Sequence, residues 1–379
     1  MIPYGKQNID EEDIKAVVEV LKSDWITTGP KVEEFEKAIA NYVGAKYAVA
    51  VNSGTSALDI AVGALEIPEG SEIITTPFTF VASSNCILYN NCRPVFADIK
   101  KDTYNIDPKE VAKKITDKTK AIIYVDYAGQ PCDIDELKEI AEDNNLYLIE
   151  DAAHAIGAEY KGQRIGSFAD LTEFSFHPVK HITSGEGGAV TTNDEKFYEK
   201  LKMLRNHGMD KSIKERFGPN AGYKYDIKLL GKNYRITDFQ CALGLSQLKK
   251  LDGILAKRDD IVKKYNEEFS KIPEITVPYV KSDVKSAWHL YTMLLDKKID
   301  RDKFFASMRS KGIGVNVHYI PAYHFSYYKK FDINPADYPN TEEVFSRIIT
   351  LPLYPTMTKD DVAKVIESVK EYIKGAQDG

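Results

Sequence analysis

Lys180 stands in the run FSFHPVKHITSGEGGAV, between a strand-like stretch, Leu171 to Phe176, and a turn carrying Gly185, Gly187 and Gly188. Most lysines only carry charge at the surface. This one follows apolar and aromatic residues and a proline, and the glycines beyond it let a ligand approach the backbone closely. An amine held in a partly dry pocket loses its proton more readily, and the neutral amine can form a Schiff base with an aldehyde. Lys180 is therefore a candidate covalent anchor.

Other chemistry-bearing residues fall where strands are expected to end. Ser53-Gly54-Thr55-Ser56 follows the β-like KYAVAVN and opens an apolar-faced helix. A helix N-terminus offers unpaired N–H groups and a dipole that suits an anion, although Ser53 or Thr55 could do no more than cap the helix. Asp151, in LYLIEDAA with His154 three residues on, is either a cap or structural carboxylate or the partner of a ligand's ring nitrogen. A phosphate-bearing aldehyde with a basic ring nitrogen needs a lysine, a carboxylate, a helix start with hydroxyls and a stacking aromatic. Lys180, Asp151, Gly54-Thr55-Ser56 with Ser175, and Phe80 supply that set.

The elements that must position these residues alternate along the chain. Helices are expected at 10–22 and from Pro30 through KVEEFEKAIANYV, separated by a loop whose tip holds Trp25, Ile26 and Thr27. Trp25 either packs on the next helix or forms a substrate wall. From residue 46, strands rich in Ile and Val (KYAVAVN, EIITTP, RPVFADI, KAIIYVDY, LYLIEDAA, LTEFSF, GGAVTT) interleave with helices, including one over 78–88. Such a pattern indicates a mostly parallel sheet covered by helices, with ligands at the carboxyl ends of its strands. A polar segment runs from Arg205 to Gly231, and a long helical stretch over 236–269 bridges to a second unit. That unit reads as a strand (287–295), a helix (301–310), a strand (314–319), a loop (321–339) and two helices. The expectation is an α/β protein, with a large ligand-binding domain over 1–250 and a smaller C-terminal α/β domain over 251–379.

Bulk properties exclude several classes. Over 379 residues, 28% are charged, 43% are hydrophobic and the net charge is −6, which argues against a nucleic-acid surface. No apolar run approaches the roughly 20 residues needed to span a bilayer, and the start has no secretory apolar segment. The seven histidines form no metal-ligating spacing. Cys86, Cys92, Cys132 and Cys241 lack the spacing of a disulfide framework and suit a reducing compartment such as the cytoplasm.

The chain resembles the sugar aminotransferases of the DegT/DnrJ/EryC1/StrS family, within fold type I of the pyridoxal-phosphate enzymes. The resemblance runs through Tyr4, TGPKVEEFE, NSGTSAL, TTPFTFVAS, EDAAHA, FSFHPVKHITSGEGG, KNYRITDFQ and VHYIPAYH. It implies pyridoxal 5′-phosphate as cofactor, anchored by Lys180, which also shuttles the proton. It implies Asp151 at the pyridinium, His154 on the ring-hydroxyl side and Phe80 stacked on the ring. Gly54, Thr55, Ser56 and Ser175 would bind phosphate. Asn233 matches a residue that reaches the neighbouring subunit's phosphate, which implies a homodimer with shared sites. Tyr4, Trp25, Ile26, Thr27, Asn316, Val317, His318 and Tyr319 match segments lining a nucleotide-sugar pocket. Dehydratases of the family carry His at the lysine position, so Lys180 implies transamination. DYAGQPCDI and FHPVKHIT narrow the resemblance to transaminases of pseudaminic acid biosynthesis, which move an amino group from L-glutamate to the C4 keto group of a UDP-linked 4-keto-6-deoxy N-acetylated sugar. Another UDP-, dTDP- or GDP-linked 3- or 4-keto sugar is the alternative.

Overall fold

The computed structural model describes residues 1–210 and 223–377, so part of the polar segment expected after Arg205 lies outside the described residues. Helix α1 (Glu11–Leu21) starts at a capping box in which Asp10 and Asp13 satisfy each other's backbone N–H groups. Helix α2 (Pro30–Val43) starts with proline, whose missing N–H costs nothing there, and ends at Gly44 in the left-handed region.

Seven strands form the main sheet: β1 (Tyr47–Val51), β2 (Glu72–Thr75), β3 (Arg93–Phe96), β4 (Thr119–Val125), β5 (Tyr147–Asp151), β8 (Leu171–Ser175) and β9 (Gly188–Thr192), after the short hairpin β6 (Glu159–Tyr160) and β7 (Gln163–Arg164). Their order is β1-β9-β8-β5-β4-β2-β3. Strands β3, β2, β4, β5 and β8 are parallel, and β9 runs antiparallel between β8 and β1. The expected mostly parallel sheet is present. The reversal at β9 follows from the short Lys180 turn, which returns the chain directly beside β8 without a crossover helix.

Helices α3 (Gly54–Ala64), α4 (Ala82–Tyr89), α5 (Pro108–Lys114), α6 (Ile134–Asp143), α7 (Glu195–Arg205) and α8 (Asp238–Lys249) accompany the sheet. One apolar core gathers Phe35, Ile39, Tyr124, Phe174 and Phe176; a second gathers Val49, Leu58, Ile60, Ile123 and Ile149. Alternate residues of the same strands feed the two cores, which is why these strands read as continuous apolar runs.

Four expectations are corrected. The helix expected over 78–88 starts only at Ala82, after an apolar loop in which Phe78 is buried and Phe80 exposed. The long bridging helix breaks at Lys250 into α8 and α9 (Leu251–Phe269). There the Lys250 ammonium is drawn to Asp10 and Asp13 of α1, 2.7 Å from each. The strand expected over 314–319 is reduced to one bridge, Asn316 with Thr350, because Gly314 spends its N–H on Ile2 and His318 turns its ring to Thr350. Finally, a strand stands between the two C-terminal helices. The C-terminal sheet runs β10 (Ile275–Thr276), β12 (Tyr291–Leu295), β13 (Ile348–Leu351), while β11 (Val284–Lys285) joins the β6–β7 hairpin. Helices α10 (Arg301–Ser310), α11 (Pro339–Arg347) and α12 (Lys359–Gln377) complete the fold. The core beneath that sheet holds Tyr291, Met293, Phe304, Ile349 and Val365, and also Ile2 from the N-terminal segment.

Candidate active site

The carboxyl ends of β5 and β8, the N-terminus of α3 and the loop before α4 surround one cavity of about 1010 Å³, closed on its far side by residues 316–320. That volume is at the upper end for small-molecule sites. Lys180, Asp151, Gly54, Thr55, Phe80, His154, Ser175, Tyr4 and residues 316–319 all line it.

Lys180 sits in the turn that follows β8, its backbone N–H donating to His177 at 2.9 Å. Burial lowers its pKa to about 8, with the Glu173 and Asp151 carboxyls pulling the other way. No ion pair within 4 Å holds the amine among the described residues. The neighbouring His181 points elsewhere: its Nε2 donates to the Ala287 carbonyl at 2.9 Å, and burial pushes its pKa well down. Only the lysine of this pair faces the cavity.

Asp151 ends β5 and is 4% exposed. The Ser83 hydroxyl, in the first turn of α4, donates to its Oδ2 at 2.6 Å, and the Ala153 N–H donates to Oδ1 at 3.2 Å. The carboxylate is thus fixed from two directions while remaining on the cavity wall.

At the start of α3, Ser53 is the N-cap, in extended backbone, and its Oγ accepts the Ser56 N–H at 3.1 Å. The Ser56 hydroxyl is 2.6 Å from Asn52 Oδ1, its acceptor. Capping therefore occupies Ser53 and Ser56, and Ser56 lies off the cavity, while Gly54 and Thr55 face it. A Cβ at Gly54 would come within 2.5 Å of Glu173 Oε1 and 3.0 Å of Ser175 Oγ, so this helix start is pressed against β8. Gly188 plays the matching part on β9, where a Cβ would lie 2.5 Å from the Ser53 carbonyl oxygen and 2.8 Å from the Gly54 nitrogen.

Two neutral histidines build the opposite wall. His154 accepts the Ala128 N–H at Nδ1, so its Nε2 carries the proton and donates to the Tyr319 hydroxyl at 3.0 Å. Burial and the Lys180 charge hold it well below the usual histidine range. His318, pushed down to about 3 by burial, accepts from Asn316 and donates to Thr350. The Phe80 ring, 59% exposed, stands 6.3 Å from that of Tyr319 across the cavity mouth.

Two expected sets, the Trp25–Thr27 loop and Ser56, are not brought to this cavity, and Asn233, expected at a neighbouring subunit's site, also lies outside it. Trp25 and Ile26 are 48% and 52% exposed. Their loop is pinned to the start of α8: Thr27 bridges Thr237, and Asp238 accepts from the Gly29 and Lys31 backbone. Asn233, exposed, lies in the segment leading into that helix. Ser56 is retained by capping.

Among the lining residues not singled out from the sequence are Glu173, Ser83, Tyr327 and Tyr328. Period-two alternation along β8 carried a signal for Glu173, which shares a face with Ser175. Ser83 and the tyrosines gave none, because their approach depends on how α4 and the 326–331 turn dock.

The residues present fit pyridoxal 5′-phosphate: an amine of lowered pKa, a fixed carboxylate, a glycine-walled helix start beside a serine hydroxyl, and a free aromatic face. Residues 7–370 match the DegT/DnrJ/EryC1/StrS aminotransferase family. The UDP-4-amino-4,6-dideoxy-N-acetyl-beta-L-altrosamine transaminase of Campylobacter jejuni is 41% identical over 98% of this chain and 99% of its own. Helicobacter pylori PseC, an aminotransferase involved in pseudoaminic acid biosynthesis, superposes with a TM-score of 0.93 at 36% identity, covering 99% of both chains. Spr1654 of Streptococcus pneumoniae in its PLP form does so with a TM-score of 0.93 at 33% identity, covering 99% of each chain. The chain belongs to the DegT/DnrJ/EryC1/StrS aminotransferase family and is a pyridoxal 5′-phosphate-dependent sugar aminotransferase.

Proposed function

We propose that this enzyme transfers the amino group of L-glutamate to the C4 keto group of a UDP-linked 4-keto-6-deoxy N-acetylated sugar, for a glycan of the pseudaminic acid type. The observation that carries this reading is the near end-to-end likeness to the Campylobacter jejuni transaminase, whose name specifies the aminated UDP sugar.

Bound pyridoxal 5′-phosphate supplies an aldehyde for an amine and a ring that withdraws electrons from the substrate carbon. The chain's residues do the rest. Lys180 Nζ, of low enough pKa to be partly neutral near pH 7, would hold the aldehyde covalently and would be the group that moves a proton at the reacting carbon. Asp151, steadied by Ser83 and the Ala153 N–H, keeps the ring nitrogen protonated. The backbone N–H groups at Gly54 and Thr55 and the Ser175 hydroxyl take the phosphate. His154, fixed in one tautomer, would serve the ring hydroxyl, and Phe80 would stack on the ring.

Tyr4 and residues 316–320, with Tyr327 and Tyr328, line the part of the cavity that would take the sugar. Trp25, Ile26, Thr27 and Asn233 serve a partner's site in a homodimer; their exposure, and the Thr27–Thr237 bridge that brings the loop to the segment carrying Asn233, support this. The four cysteines are buried and free, which suits the cytoplasm.

The test is product identification. Purified enzyme is given L-glutamate with UDP-, dTDP- and GDP-linked 3- and 4-keto sugars, and NMR locates the new amine while 2-oxoglutarate is counted. Stoichiometric 2-oxoglutarate and a 4-amino UDP sugar are expected. Preference for another nucleotide or position overturns the substrate, and turnover without glutamate consumption overturns the donor.

A further inference from the structure

Glu173 is 0% exposed, and neither of its carboxyl oxygens has a hydrogen-bond partner. Native proteins rarely leave such a group unsatisfied, because a buried polar atom without a partner costs about 1–3 kcal/mol. It is not an isolated core residue. On β8 it pairs in register with Asp151 on β5, it lines the same cavity as Lys180, and its Oε1 would touch a Cβ placed on Gly54 at the N-terminus of α3. An acidic side chain thus stands against the helix start proposed to take the phosphate, with no donor to its oxygens and another carboxyl, Asp151, beside it.

A carboxylate there would face a phosphate dianion across a dry pocket, and two anions so placed cannot both keep their charge at low cost. A neutral carboxyl has the opposite character: it carries an O–H that can donate to a phosphate oxygen. We propose that Glu173 is a proton-bearing wall of the phosphate cradle, so that the cofactor's phosphate is bound with Glu173 as the neutral acid and is released more readily once that acid ionises. Ionisation sends the proton to solvent and leaves a carboxylate beside the dianion; no bond of the cofactor changes.

The surroundings agree. Burial first, then the Asp151 charge and a side-chain contact between these two carboxyls, push the Glu173 carboxyl well above the usual range, with only Lys180 opposing. The titratable groups facing it are Asp151 from β5, Lys180 from the turn after β8 and the Cys86 thiol from α4, which burial raises far up and which stays neutral. The sign follows: the raised acid is protonated at low pH, and phosphate affinity falls as pH rises through its pKa.

The test uses pyridoxamine 5′-phosphate, which forms no bond to Lys180, so the lysine's own chemistry stays out of the measurement. Its dissociation constant is measured by calorimetry from pH 7 to 9.5 with the full-length apoenzyme and with Glu173→Gln. Above pH 7 the phosphate stays a dianion, and the ligand's other titrations are common to both proteins. The expected result is a wild-type affinity that falls towards about tenfold per pH unit at the alkaline end, and a Glu173→Gln affinity at least about tenfold tighter there. Pyridoxamine without phosphate should show no difference between the two proteins. Superposable profiles, or an equal effect on pyridoxamine, overturn the proposal.

The inference rests on the phosphate assignment, and the two fail differently. If Ser175→Ala leaves pyridoxamine 5′-phosphate affinity unchanged, the cradle itself is wrong. If Ser175→Ala weakens it while Glu173→Gln changes nothing, only the role of Glu173 is lost.

Discussion

The Ser83 hydroxyl lies 2.6 Å from Asp151 Oδ2, joining α4 to the end of β5 across 68 residues of sequence. This bond sets which way the carboxylate faces, since its other oxygen is tied to the Ala153 N–H. In Ser83→Ala the carboxylate loses one of two restraints. Hydrogen bonds to charged groups are worth about 1.5–3 kcal/mol, and part of that is recovered by water at a cavity wall. Cofactor affinity is expected to fall about tenfold, with unchanged thermal stability of the apoprotein. Fluorescence titration with pyridoxal 5′-phosphate reads the first, calorimetry the second.

Lys180 gives a pH signature. Its amine is the nucleophile only when neutral, and its pKa is lowered to about 8, so the reactive fraction grows as pH rises and saturates above that value. The initial rate of cofactor capture by apoenzyme, followed by stopped-flow absorbance, should rise about tenfold per unit at low pH and level off near pH 8. Lys180→Ala should show no chain-bound cofactor after borohydride reduction and should lose at least about a thousandfold in turnover. A labelled chain in that variant would point to a different anchor.

Gly188→Ala tests how tightly β9 passes the turn between β1 and α3. The added methyl would sit 2.5 Å from the Ser53 carbonyl oxygen, and neither backbone can yield cheaply. Overpacking of this kind costs about 1–3 kcal/mol. The helix start should shift with it, so a lowered melting temperature is expected together with weaker cofactor binding. Unaltered binding at lowered stability would separate the strand contact from the site.

Shared sites predict complementation. Lys180→Ala and Asn233→Ala homodimers should each be inactive. After mixing and exchange, about half the dimers are mixed, and one of their two sites carries neither substitution, which restores about one quarter of full activity. Measured recovery near zero, with exchange demonstrated by mass spectrometry, would place Asn233 in its own subunit's work.

By itself, the sequence determined the alternation of strands and helices, the chemistry at strand ends and the lysine, carboxylate and helix start of the site. Each of these is local: apolar periodicity, N-cap residues and glycine punctuation act within a few residues, so FSFHPVKHITSGEGG or NSGTSAL carry their meaning in order. The tertiary structure decided the rest. Whether Lys180 or His181 faces the cavity depends on the Ala287 carbonyl that claims the histidine. Whether Ser56 serves a ligand depends on Asn52, which takes its hydroxyl. The Lys250 ammonium, where the long helix breaks, meets two aspartates about 240 residues earlier, a contact no local pattern announces. Glu173 became informative only once Gly54, Asp151 and Lys180 stood around it, because burial and the lack of a partner are properties of packing, not of a strand's sequence.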